Sequence, residues 1–180
     1  MFYTLKHQVK LQGGFYLEIE DLQYISYIED LLLHHSVKKL AFYEHHRITT
    51  RFNHSLSVSY NSYKTAKRLG FSNESLREIA RAGLLHDLFF YDTSEEKDTK
   101  EHLRKHPEIA LENARNVCQL SEKEENIILS HMFGVSFNHV PKYKESFLVS
   151  FTDKTVSIRE VYHRLRKRER AYLIRNTLLD

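Results

Sequence analysis

Two prolines and five glycines are the only strong helix breakers in these 180 residues. A helix interior loses about 3 kcal/mol to a proline and about 1 kcal/mol to a glycine relative to alanine, so a chain this poor in both is free to run in long helices. Its length suits one domain with its own core and is short for two. Hydrophobic residues at 41% and charged residues at 28% fit an ordinary globular fold.

Hydrophobic periodicity divides the chain. Tyr3, Leu5, His7, Val9 and Leu11 alternate with more polar neighbours, Gly13 and Gly14 come next, and Phe15, Leu17 and Ile19 alternate again. This predicts a β-hairpin on a Gly-Gly turn over residues 1–20, an N-terminal extension to the helical part of the chain. From Asp21 the period becomes helical, with Leu22, Ile25, Ile28, Leu32 and Leu33 forming a first stripe. Ser72 caps the run "ESLREIARAGLLHD", and Ser121 with Glu124 makes a capping box for the helix that reaches His131. Pro107 suits the first turn of "PEIALENARNVCQL", and Gly70 ends "NHSLSVSYNSYKTAKRL". A last helix, "ESFLVSFTDKTVSIREVYHRL", starts soon after Pro141. Residues 21–180 are therefore expected to form one all-α domain of about six or seven helices.

The net charge of +3 is uneven, because residues 159–175 carry seven Lys or Arg against two Glu. Apolar residues interleave with these charges at helical spacing, which favours a solvated basic helix. Scattered tyrosines such as Tyr172 make no base-stacking platform among these charges, so nucleic acid is not the expected partner. Cys118 is the single cysteine, no apolar run has membrane-spanning length, and "MFYTLKHQVK" lacks the apolar core of a signal peptide. These features lead us to expect a cytoplasmic protein with no membrane partner.

Chemistry must come from twelve histidines and seven aspartates. A His-Asp dipeptide arises by chance in about one of two chains of this composition, so His86-Asp87 needs its context. Its helix carries Ala80, Ala82 and Gly83, small residues that let a neighbouring helix come close. Asp153 lies between Val149 and Val156 on an apolar stripe, and a buried carboxylate must be neutralised by a base, a proton or a cation. His131, one turn after Ile127 and Ile128, should also face inward.

His54 in "TTRFNHSLSV", His86-Asp87 in "ARAGLLHD" and Asp153 in "LVSFTDK" together resemble the His…His-Asp…Asp pattern of the HD-domain metal-dependent phosphohydrolases. The resemblance covers about residues 45–165. It implies an HD-domain helical bundle in which His54, His86, Asp87 and Asp153 bind one metal, while Asp87 bridges to a second held by His106 and His131. His102, four residues before His106, competes with it for that role. The cofactor is then one or two divalent transition metals, with mixed nitrogen and oxygen ligands suiting iron, manganese, cobalt or zinc. Two such ions lower the pKa of a bridging water and neutralise a phosphoryl oxygen.

Around these ligands, Arg51 lies three residues before His54 and is a candidate phosphate clamp, with Lys154 and Arg159 as companions. Some HD-domain hydrolases carry Lys three residues after the metal-binding Asp, where this chain has Phe90. Phe89, Phe90 and Tyr91 suggest instead an apolar or base-stacking wall, and Asp92 is a candidate acid or base. His45 and His46 either line the pocket or cap the preceding helix. The expected reaction is hydrolysis of a small phosphate ester, a nucleotide above all, with Asp87, Arg51 and Lys154 as catalytic residues. The same ligand set also serves di-iron oxygenases of this superfamily, and the missing Lys leaves room for a non-catalytic nucleotide-binding regulator.

Overall fold

The computed structural model describes residues 7–10, 16–19, 22–45, 49–91 and 99–177, with side chains placed for 22–45, 49–91 and 101–166. Strands β1 (His7–Lys10) and β2 (Tyr16–Ile19) pair antiparallel, His7 opposite Ile19 and Val9 opposite Leu17. The expected hairpin strands are thus present, while the Gly13-Gly14 turn lies outside the described residues. Helices α1 (Leu22–Leu33) and α2 (His35–Lys39) come next, then a 3-10 turn (Leu40–Phe42) and a second small ladder, β3 (Glu44–His45) with β4 (Thr49–Thr50). The rest is α3 (Arg51–Arg68), α4 (Asn73–Leu85), α5 (Thr99–Arg115), α6 (Glu122–Ser130) and α7 (Lys144–Thr177). The fold is an all-α bundle of seven helices among the described residues, none long and apolar enough to cross a membrane.

Local signals set most helix ends. Ser72 accepts from the Ser75 amide at the start of α4, and Ser121 and Glu124 close the capping box of α6 in both directions. Gly70, at φ +75°, ends α3 in a left-handed turn, its amide reaching the Lys67 carbonyl and that of Phe71 the Ala66 carbonyl. One boundary differs from expectation. α5 begins at Thr99, eight residues before Pro107, which therefore sits inside the helix. The segment "TKEHLRK" is rich in strong helix formers, and an interior proline removes a single bond, the one to the Leu103 carbonyl.

α4 is the centre of the bundle, with α1, α3, α6 and α7 packed on it. Its contact with α3 is close: a Cβ placed on Gly83 would lie 2.9 Å from the Ser59 Cα. Ala80 and Ala82 are fully buried. Ser59 Oγ donates to the Ala80 carbonyl at 2.6 Å and accepts from the Tyr24 hydroxyl at 2.8 Å, so three helices are pinned at one hydroxyl. Small residues on α4 thus bring α3 near enough for His54 and His86 to share a site.

Candidate metal centre

Five helices each deliver part of one buried cluster. Thr50 caps α3 by accepting from the Asn53 amide at 3.2 Å, and His54 comes next on the inner face. His86 is the C-cap of α4, with Asp87 next to it, and His131 is the C-cap of α6. His106 projects from within α5 and Asp153 from α7. All six side chains are at least nine-tenths buried.

Asp87 stands in the middle. Its Oδ1 is 3.5 Å from Nε2 of both His106 and His131, and its Oδ2 is 3.7 Å from Nε2 of His86. Asp153 Oδ1 lies 3.0 Å from His54 Nε2 and 3.6 Å from His86 Nε2. The ligand atoms form two adjoining groups, His54-His86-Asp87 and Asp87-His106-His131, with Asp87 common to both.

Hydrogen bonds on the far edges of the rings fix their tautomers. Nδ1 of His86 faces the Gly83 carbonyl at 2.8 Å, Nδ1 of His131 the Ile128 carbonyl at 2.7 Å, and Nδ1 of His106 the His102 carbonyl at 3.1 Å. A carbonyl only accepts, so each Nδ1 carries a proton, and in the neutral imidazole each Nε2 presents a lone pair to the cluster. The Nε2 atoms of His106 and His131 then confront each other at 2.8 Å, and Nε2 of His86 is buried without a hydrogen-bond partner. Facing lone pairs and an orphaned one beside a carboxylate are unfavourable in isolation and are what a cation would satisfy. The donor set fits a divalent metal.

Without metal the imidazoles differ in charge: burial opposes a proton on His86, yet Asp87 and Asp153 raise its pKa. Burial and the neighbouring His131 push the His106 imidazole down to about 3, keeping it neutral. Burial also opposes charge on His54, but the hydrogen bonds that it donates to Asp153 and Glu160 outweigh this and hold the imidazole at about 10. Asp87 and Asp153, although buried, stay well below the usual carboxylate range because imidazoles surround them.

A cavity of about 620 Å³ opens over the cluster. Of the other residues singled out in the sequence, Lys154 lines it and donates to the His131 carbonyl at 2.8 Å and the Ser150 carbonyl at 3.1 Å. Burial lowers its pKa. Arg51 also borders the cavity, yet its side chain is wholly buried, Nη1 donating to the Phe89 carbonyl at 2.8 Å and Nη2 to the Tyr91 carbonyl at 3.2 Å. These two bonds brace the segment after Asp87. Phe90, expected in the wall, turns away to pack near Tyr43 and under Lys39. Phe89, expected there as well, does line the cavity. Tyr91 is absent from the lining and bonds His102 Nδ1 through its hydroxyl at 2.9 Å. The two α5 histidines thus differ in place: His106 meets Asp87, and His102 meets Tyr91. Arg159 is exposed on α7 and does not line the cavity. Asp92 and His46 lie outside the described residues.

Two further residues enter the site, of which only Glu160 was not singled out in the sequence. His45, for which a helix cap was the alternative, stacks on His54 with ring centroids 3.7 Å apart and meets Glu160 at 3.2 Å. Glu160 also meets His54 Nδ1 at 3.3 Å, and the two imidazoles hold its carboxyl at about 2 against the effect of burial. Its signal in the sequence was position: seven residues after Asp153 is two helical turns, hence the same face.

The HD domain family model matches residues 51–158, well over half of the chain, and spans all six clustered residues, from His54 on α3 to Asp153 on α7. Neither the curated proteins nor the solved structures contain a match.

Proposed function

Because the chain belongs to the HD-domain metal-dependent phosphohydrolase superfamily, we propose that it hydrolyses a small phosphate ester with two divalent transition-metal ions at the cluster. The observation that carries this reading is the inward convergence of the Nε2 atoms of His86, His106 and His131 on the Asp87 carboxylate. His54, His86, Asp87 and Asp153 would hold one ion, and Asp87, His106 and His131 the other. Nitrogen and oxygen donors together suit iron, manganese, cobalt or zinc. When bound, such ions supply a water of lowered pKa and positive charge beside the phosphoryl oxygens.

The protein's own groups do the rest. Asp87 sets the spacing of the two ligand groups. Glu160 orients His54 through Nδ1, and carbonyls orient the other three imidazoles. Lys154 ties α7 to the end of α6 beside the reacting centre, while Arg51 holds the segment after Asp87. No Ser or Cys nucleophile is required.

The test is to strip metal, refill separately with manganese, iron, cobalt and zinc, and assay an aryl phosphomonoester, an aryl phosphodiester and nucleotides beside Asp87→Asn. Metal-restored turnover that disappears in Asp87→Asn is expected, with the preferred ester distinguishing mono- from diesterase. Tightly held metal without turnover of any ester would overturn the hydrolase reading, and oxygen uptake would be measured next.

A further inference from the structure

The cavity has one floor and one wall of different character. Metal-ligating side chains make the floor, and the wall is aliphatic: Leu103 from α5, Met132 and Val135 from the segment after α6, and Ile158 from α7. At the rim Val135 is 53% and Ile158 69% exposed, two branched side chains beside a buried reaction centre. Such side chains gain most when an apolar ligand covers them.

The rings that a nucleobase would stack on are already engaged. Phe89 has the Arg51 guanidinium over its ring at 3.6 Å and the His106 ring at 5.5 Å. Tyr91 packs on Phe89 at 4.8 Å, and Phe90 is turned toward Tyr43. Charge points the same way. The cations in the described lining are Arg51 and Lys154, both donating to backbone carbonyls, and that lining also carries the carboxylates of Glu44, Asp87 and Asp153. Beyond the phosphoryl group at the cluster, nothing in that lining favours a second or third phosphate.

We propose that the site takes a single phosphoryl group esterified to an aliphatic alcohol, its hydrocarbon arm lying on Leu103, Met132, Val135 and Ile158, in preference to a nucleotide or a polyphosphate. The inference rests on the phosphoryl site proposed above and names its substrate class.

The experiment is calorimetric titration of the manganese-loaded protein with methyl-, butyl- and hexylphosphonate and with adenosine monophosphate. The phosphonates cannot be hydrolysed, so binding is read apart from turnover. Affinity should rise about two- to fourfold per methylene, with a heat-capacity change that grows more negative along the series, and hexylphosphonate should bind more tightly than the nucleotide. Ile158→Asp and Val135→Asp, both at the exposed rim, should each flatten the dependence on chain length. An affinity independent of chain length, or tighter binding of the nucleotide, would overturn the proposal. Failure of every phosphonate to bind would overturn it together with the phosphoryl site. A clear chain-length dependence without hydrolysis of the matching alkyl phosphates would leave it standing and remove the hydrolase reading alone.

Discussion

Glu160 meets His54 at Nδ1, 3.3 Å away, on the ring edge opposite the one that faces Asp153. The two carboxylates keep the metal-free imidazole charged, with a pKa of about 10. A metal at Nε2 needs that proton gone. Metal affinity should therefore fall with decreasing pH, up to about tenfold per unit for the proton displaced, and loading at pH 7 should release a proton into weakly buffered solution. His106, already neutral at about 3, contributes none. In Glu160→Gln the proton release should shrink and the pH slope flatten. An unchanged slope in that variant would mean that Glu160 does not govern the His54 ring.

The approach of α3 to α4 sets a second expectation. Gly83→Ala places a methyl 2.9 Å from the Ser59 Cα, a backbone atom that cannot step aside, so the helices must part. Overpacking of this kind costs about 1–3 kcal/mol, more than alanine's helix propensity returns. Urea unfolding should show the loss and metal titration a weakened site, since His54 and His86 ride on these helices. A variant as stable as the parent would refute the tight contact.

Arg51 separates two roles that the sequence could not. Its guanidinium reaches two carbonyls, of Phe89 and Tyr91, a fork that lysine cannot reproduce. We expect Arg51→Lys to lower stability by about 2–3 kcal/mol and to speed amide exchange in residues 88–91. If instead stability were retained and only turnover lost, Arg51 would be the phosphate clamp that its spacing from His54 suggests.

Away from the site, Glu145 is 3% exposed, accepts from Ser75 Oγ at 2.7 Å and lies 3.4 Å from Lys123 Nζ. Burial opposes its charge, but these partners hold its carboxyl below the ordinary value of 4.5. A depressed carboxylate stabilises the fold above its unfolded pKa and loses that contribution as the pH falls through the folded one. Glu145→Gln should thus cost about 1–2 kcal/mol at pH 7, with the gap to the parent closing below about pH 4.5 in denaturant melts. A gap of constant size would assign the effect to packing.

Much of this was legible in the chain because local chemistry decided it. The caps at Ser72 and Ser121, the stop at Gly70 and the small residues of α4 act within a turn or two of themselves. So did the stripe that put Asp153 inward, between Val149 and Val156. What escaped depended on tertiary placement. Pro107 looked like a helix start because its cost is local, whereas the helix around it is maintained by its contacts with α6. Phe89 and Phe90 are neighbours of one type, and only the path of the chain after Asp87 decides which meets the cavity. His45 gained its place by stacking across a ladder that no periodicity marks.

His86 and His131 end α4 and α6 in matching conformations, each ring fastened to the carbonyl three residues back. Two helix C-termini therefore aim their partial negative charge, about half an elementary charge each, at one point. The backbone itself attracts a cation there before any side chain is counted, and it repels an anion. For the phosphate ester proposed above, this predicts an order of arrival: metal first, and the anion only once metal has reversed the sign of the field.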